Sequence, residues 1–520
     1  MKRALLFKII LFSSMIIFMF VSCIDTSLLE NDDNEDIPEE PITYVYSDID
    51  SLKFISFKIN DSINSKIYSD VYFTFDSNEN KYTTNICYYH TNLNEIKSTF
   101  RTNAIKITVN NKNQYSNITT NNFNNEVTYR LYTINGNYKD ITFKLTNDCN
   151  LDIPLIVINT EKAKPIENRE DWIAGKMIID KQLSNENEYI GNIEIKGRGN
   201  ASWSAPKKPY VIKLNNESSL LGMNSHRKWV LISNPRDKTL LRNKVALEIA
   251  RRTDQAWVSN CKYVNIILNN TFIGCYLLTE KIEIGPNRVN IQELTTNDIT
   301  GGYLLEADRY PNDIDVPQFI SQYANLPFSI EEQDPPNSIQ MNYLINYINN
   351  IEEKLFKDNI IDTSYRNYID LNSFVDFWII NELVYNTEVM TPHSCFMYKD
   401  KSKKLFAGPV WDFDMFTFQD KKNYACMNHL WYKKLFTDPY FKALAKQRWQ
   451  QFKPSFETII SYINEQKLYI TNSASMNWAI WVIDNNDNSD SSLPWDEAVE
   501  RMKTNYSIRL NWLDAQISTW

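Results

Sequence analysis

The sequence predicts an α+β protein in two main parts: an all-β immunoglobulin-like sandwich, then a larger domain with a strand-rich first lobe and a helical second lobe. Three observations point there. Short alternating apolar runs recur between Asn/Asp/Ser-rich turns from about Tyr46 to Glu161. Ten of the eleven glycines fall between Gly175 and Gly408, so special backbone geometry is concentrated in the middle of the chain. From Met341 onward the apolar spacing turns helical.

With 520 residues, 43% hydrophobic and 13% aromatic, the chain is globular and too long for one core. A net charge of −9 without a Lys/Arg-rich run leaves no footprint for nucleic acid.

Residues 1–22 read as a lipoprotein signal peptide. Lys2, Arg3 and Lys8 precede an apolar run from Ile9 to Val21, and Ser22-Cys23 follows. The run is short for a permanent span. A small residue directly before Cys23 resembles a bacterial lipobox, although Phe20 stands where Leu is usual. The resemblance implies cleavage before Cys23, a lipid on its sulfur and a membrane anchor. An uncleaved anchor or an ordinary signal peptide is the alternative. Residues 23–44, with the acidic run Glu30-Asn-Asp-Asp-Asn-Glu-Asp-Ile-Pro-Glu-Glu-Pro41, read as a disordered tether. Acids soon after a lipidated cysteine also resemble surface-lipoprotein export signals, so the expected address is the cell envelope, at the outer membrane or exposed on the surface.

The sandwich is assigned residues 45–164, with strands at Leu52–Phe57, Val71–Phe75, Ile105–Val109, Val127–Tyr132, Ile141–Leu145 and Leu155–Ile158. It carries no clustered acid, base or nucleophile. The second domain is assigned 165–483, and 484–520 a Pro/Asn/Asp-rich linker with a closing helix at Glu497–Ile517. The remaining cysteines, Cys87, Cys149, Cys261, Cys275, Cys395 and Cys426, have no disulfide-scaffold rhythm. His393, Cys395, Cys426 and His429 match no common zinc spacing.

Four stretches of the second domain carry chemistry. Gly408-Pro-Val-Trp-Asp-Phe-Asp414 sets two carboxylates one residue apart in an apolar frame. On an extended strand Asp412 and Asp414 would share a face and meet one hard cation; alternatively they cap a turn. Ile193 to Leu214 reads as strand, Gly197-Arg198-Gly199 loop and strand, with Lys213 either toward a phosphate or on the solvated side of a plain hairpin. Asp237 to Arg252 reads as a capped helix with Leu241, Val245 and Glu248 on its inward stripe. Glu248 then pairs with Lys213, or with Lys244 or Arg252 along its own helix. A hairpin at Tyr263–Leu268 and Phe272–Thr279 ends at Glu280.

Taken in order, Lys196-Gly-Arg-Gly-Asn-Ala-Ser-Trp, Pro206-Lys-Lys-Pro-Tyr-Val-Ile-Lys-Leu214, Asp237-Lys-Thr-Leu-Leu-Arg-Asn243, Gly274-Cys-Tyr-Leu-Leu-Thr-Glu-Lys281 and the Gly408–Asp414 block resemble the CotH family of spore-coat-type atypical protein kinases across about residues 165–470. The resemblance implies a kinase-like two-lobed fold that moves the γ-phosphoryl group of ATP to protein Ser/Thr hydroxyls with Mg²⁺. It implies Asp412 as main metal ligand, Asp414 as second ligand or orienting group, Lys213 at the α/β-phosphates with Glu248 or Glu280 fixing it, and Arg198 and Arg242 as further phosphate or structural groups. The family's usual catalytic Asp, and an Asn shortly before the following strand, are missing from Asn386-Thr-Glu-Val-Met-Thr-Pro-His-Ser-Cys395. Glu388 is the acid available as base, and Asn386 a metal or loop ligand. The alternatives are a catalytically impaired surface lipoprotein that binds or adheres, and a phosphohydrolase built on Asp412 and Asp414.

Overall fold

The structure is a computed structural model of the chain. It describes residues 48–520 except 65–66, 68–69, 87–92, 148–150, 181–186, 310–315, 332–335 and 484. The expected signal peptide, Cys23, the tether, Cys87 and Cys149 lie outside the described residues.

Helix and strand occur in comparable amounts, as an α+β chain requires. In the first module two sheets enclose one core. A four-stranded sheet is built on Phe54–Ile59 and Ile96–Thr102; a six-stranded one centres on Tyr138–Thr146 and Val127–Tyr132. Phe57 stacks on Phe143 with ring centroids 3.8 Å apart, and the Tyr129 hydroxyl meets Ser98 Oγ at 3.0 Å. The strand Lys81–Asn85 was not anticipated. Its sequence, Lys-Tyr-Thr-Thr-Asn, has only Tyr82 to mark it.

The strand Leu155–Thr160 corrects the boundary drawn at residue 164. It pairs antiparallel with Ile173–Asp180 and parallel with Cys261–Leu268, closing a seven-stranded barrel. Alternation along it explains the seam: Ile156 and Ile158 enter the barrel core, while Leu155 and Val157 join the core of the first module. Two cores share one strand, so composition marks no break there.

The barrel continues through Asn187–Gly197, Tyr210–Ser218, His226–Ile232 and the hairpin Cys261–Leu268/Thr271–Glu280. Asn269 and Asn270, both at positive φ, form the turn of that hairpin. Beyond it, Tyr303–Ala307 and Cys395–Lys399 lie at the centre of a five-stranded antiparallel sheet. Helices Ser338–Phe356, Leu371–Leu383, Pro439–Phe456 and Trp495–Ser518 pack with this sheet and with the helix Arg242–Arg251 in one continuous core. The anticipated long helix from Tyr440 to Ile463 is two helices, Pro439–Phe456 and Ile459–Tyr469. Pro454, which has no N–H to give, sits in the last turn of the first.

The closing helix is part of this core and not an appendage. Val499, Met502, Tyr506 and Leu513 are fully buried. Arg509 Nη2 donates to Glu382 Oε2 at 2.7 Å and its Nη1 to the carbonyls of Lys421 and Asn423. Glu382 also accepts from the backbone N–H groups of Ala425, Cys426 and Met427. Removing one partner strands a buried charge. Arg509→Ala is therefore expected to cost about 3–5 kcal/mol in denaturant unfolding, and the conservative Val499→Ala less.

Candidate functional site

A cavity of about 590 Å³ opens between the barrel end and the loops that surround Cys395–Lys399. Three predicted stretches line it together: the Arg198–Ser202 loop, Glu388, and Asp412 with Asp414.

The Gly-Arg-Gly loop is shaped by its glycines. Gly199 has φ +79°, a left-handed turn in which a Cβ would also strike Ser202. At Gly197 a Cβ would collide with the Trp203 ring. The loop thus folds tightly over Trp203 and sends Arg198 into the cavity. Its guanidinium lies 5.8 Å from the centre of the Trp411 ring. Burial weakens its hold on the proton, and Asp412, Glu306 and Asp414 oppose that.

The two aspartates converge, but not on a strand. Residues 408–418 have no regular secondary structure, and Asp412 sits at φ +64°, in the left-handed region an Asp tolerates better than most side chains. The two carboxylates still share a side and Phe413 turns away from them, but Trp411, which alternation would place with Phe413, lines the cavity beside the aspartates. Phe413 is buried in the core, and its N–H donates to Asn243 Oδ1 at 2.9 Å. Asp412 and Asp414 both line the cavity, close enough for each carboxyl to act on the other's proton. Burial raises both pKa values; the Asp412 charge pushes Asp414 further, well above the carboxylate range, whereas Arg198 eases Asp412.

Glu388 is placed by a 3₁₀ turn, Thr387–Met390, that follows the helix Leu371–Leu383. Asn386 caps the turn: its Oδ1 accepts from the Glu388 N–H at 3.1 Å and its Nδ2 donates to Asn381 Oδ1 at 2.9 Å. Burial, and then the charges of Asp412, Asp414 and Asp308, push the Glu388 carboxyl up to about 10. Asn386 does not line the cavity and its amide is occupied, so it positions the loop instead of ligating a metal.

Four other expected residues are elsewhere. Lys213 faces out from the barrel, cross-strand from Glu194, with Nζ 2.8 Å from Glu194 Oε2. Its neighbours Ile212 and Leu214 fill the barrel core, so alternation turns Lys213 away from the cavity. Arg242 is buried between Asp237 and Asp490. Glu248 pairs with Arg251 and Arg252 on its own helix. That helix starts at Arg242, later than expected, and Asp237 Oδ2 accepts the Arg242 N–H at 2.8 Å. Glu280 is fully buried with Arg288 at 3.3 Å and accepts from Asn224 and Asn260.

The cavity holds residues that pattern alone did not single out. Arg236 precedes the Asp237–Asn243 block by one position, and its charge acts on Glu388 and Asp414. Asp308 follows the strand Tyr303–Ala307 and lies 3.1 Å from His393 Nδ1. Among the described residues no lysine lines the cavity; its cations are Arg198 and Arg236. Cys395 and Cys426 are buried thiols that donate to the carbonyls of His393 and Asn386.

Among the described residues, no three His, Cys, Asp or Glu side chains are gathered closely enough to cage a metal unaided. Mg²⁺ needs no such cage. It is commonly held by one or two carboxylates together with substrate phosphates and water, and a hard-oxygen pair with an arginine on either flank fits that pattern.

A family model described as CotH kinase protein matches residues 193–513, more than half the chain. The chain belongs to the CotH kinase family. No curated protein matches it. Membership makes this a kinase-like protein of a family that uses ATP. The match runs from the strand before the Gly-Arg-Gly loop into the last helix, so it takes in residues 484–513, which were expected to be linker and separate helix.

Proposed function

We propose that the chain is a CotH-type protein kinase, anchored in the cell envelope through Cys23, that transfers the ATP γ-phosphoryl group to Ser/Thr hydroxyls of proteins. The observation that carries this reading is the convergence in one cavity of Arg198, the Asp412/Asp414 pair and Glu388, drawn from three distant stretches of the chain. In this reading the barrel is the phosphate-side lobe, the helices form the second lobe, and the first module is an immunoglobulin-like spacer.

Asp412 and Asp414 would hold Mg²⁺, which supplies charge neutralisation at the phosphates. Arg198 and Arg236 bind and orient phosphate oxygens, the work first assigned to Lys213. The acceptor oxygen bonds to the γ-phosphorus as the bond to the bridging oxygen breaks and ADP leaves. The acceptor proton goes to Glu388.

The test is transfer of labelled γ-phosphate to a Ser-rich basic acceptor protein. Incorporation that requires Mg²⁺ supports the reading. A second reading, a binding module with an impaired transfer step, is favoured by the proton that Glu388 retains and by the absent family Asp. Tight Mg·ATP binding without incorporation would select it. Arg198→Ala is expected to weaken Mg·ADP binding by about tenfold or more in calorimetry, and Lys213→Ala to leave it within about twofold.

A further inference from the structure

The Asn/Asp-rich segment at 485–493 reads in sequence as a linker, yet its side chains hold residues that line the cavity from behind. Asn488 is nearly buried, and its one carboxamide ties two walls together. Nδ2 donates to the Asp414 carbonyl at 2.7 Å and to the Arg236 carbonyl at 3.1 Å, while Oδ1 accepts from the Thr417 N–H at 3.3 Å. The segment is itself pinned. Asp490 Oδ2 accepts from Arg242 Nη2 at 2.5 Å, Asp487 lies 3.3 Å from Arg236 Nη1, and Asn486 Oδ1 accepts from both the N–H and the hydroxyl of Ser491. From there the chain runs directly into the helix Trp495–Ser518.

We propose that residues 485–493 form a positioning strap for the metal-binding loop, with Asn488 as its key residue, setting the Asp412/Asp414 carboxylates and Arg236 at the separation that a metal-bound nucleoside diphosphate or triphosphate requires. The proposal rests on the function proposed above. Its physical reason is the loop itself: residues 408–418 have no ladder or helix to hold them, and Asp412 occupies a backbone conformation that needs outside support. One amide that satisfies a carbonyl and an N–H three residues apart in that loop, and also the carbonyl of the arginine segment, gives that support in a form two separate bonds would not. Arg242, expected at the phosphates, acquires a role through the strap: it is the post to which Asp490 is fastened.

A purely structural strap would affect stability alone, whereas a positioning strap is coupled reciprocally to ligands in the cavity. The test uses the full chain with Mn²⁺ and Mg·ADP as probes. Asn488→Ala is expected to keep its circular dichroism spectrum and to bind both probes at least about tenfold more weakly. In the unmutated protein, Mg·ADP is expected to slow amide hydrogen exchange in peptides covering 485–493 as well as 411–418. Binding by Asn488→Ala equal to wild type would overturn the proposal, and so would protection of 411–418 with 485–493 unchanged. If Asn488→Ala does not fold, the exchange measurement on the unmutated chain decides alone. A wild-type chain that takes up neither probe would overturn the functional reading, and the strap's role with it; loss confined to the variant or to the strap peptides separates the two.

Discussion

Asp412→Ala is expected to abolish Mg²⁺-dependent ADP binding, removing the ligand-induced rise in melting temperature, and to reduce phosphoryl transfer below detection. The effect is large because, among the described residues, no group of three His, Cys, Asp or Glu side chains is gathered that could hold the metal after one of the pair is lost. Stability should move the other way. The ligand-free pair is a buried like-charge site, with Asp414 held protonated by burial and by Asp412. An acid whose pKa is raised on folding binds more protons folded than unfolded, so its stabilising contribution is present at low pH and fades as pH rises. Asp414→Asn removes that liability while keeping the shape. It should raise the ligand-free melting temperature at pH 7.5 by about 2–4 °C, the shift expected from roughly 1 kcal/mol. At the same time it should weaken Mn²⁺ binding. Calorimetry at pH 5.5 and 7.5 checks both signs, since the gain should shrink at the lower pH. Loss of Mn²⁺ binding with no change in stability would show that the pair is not strained by its own charge.

Much of this site was legible before any fold was known. The Gly-Arg-Gly loop and the aspartate pair each carry a local signature, and their meeting in one cavity needed only the ordered blocks that identify the family. The resemblance placed Lys213 and Glu248 at the phosphates, whereas the structure has the alternatives read beside it, an outward Lys213 and a Glu248–Arg252 pair, for a common reason: which side of a strand or helix faces a ligand depends on what packs on the other side. Ile212 and Leu214 settle the first, and Arg252, one turn along, settles the second. Arg242 shows a different limit. A buried arginine in a motif block reads alike whether it meets phosphate or carboxylates, and its second partner, Asp490, lies 248 residues away. Arg236 and Asn488 carry no pattern at all, since their roles come from long-range contacts to Asp487 and Asp414. The same distance hid the barrel: the strand Leu155–Thr160 closes it by pairing with Cys261–Leu268, and no spacing within either strand announces the partner.

The second large effect concerns Glu388, which stands where the family's Asp is expected. In the ligand-free protein its carboxyl holds a proton up to about 10, so at neutral pH it cannot accept another. After burial, the charges of Asp412 and Asp414 are the next contributors to that shift, and a cation bound between them would offset their charge and favour the Glu388 carboxylate. The transfer rate should therefore rise with pH from 6 to 9 at saturating Mg²⁺. Glu388→Gln should lower it by about 10²–10⁴-fold and flatten the profile, with Mg·ADP affinity changed far less. Stability gives an independent reading of the same proton. Wild type should lose melting temperature as pH climbs from 5 toward 9 without metal, because the unfolded chain gives up the Glu388 proton in that range while the folded protein still retains it, and Glu388→Gln should lose less. If the rate profile stayed unchanged in Glu388→Gln while the stability slope fell, Glu388 would be a buried acid of the cavity wall and the acceptor proton would have another destination.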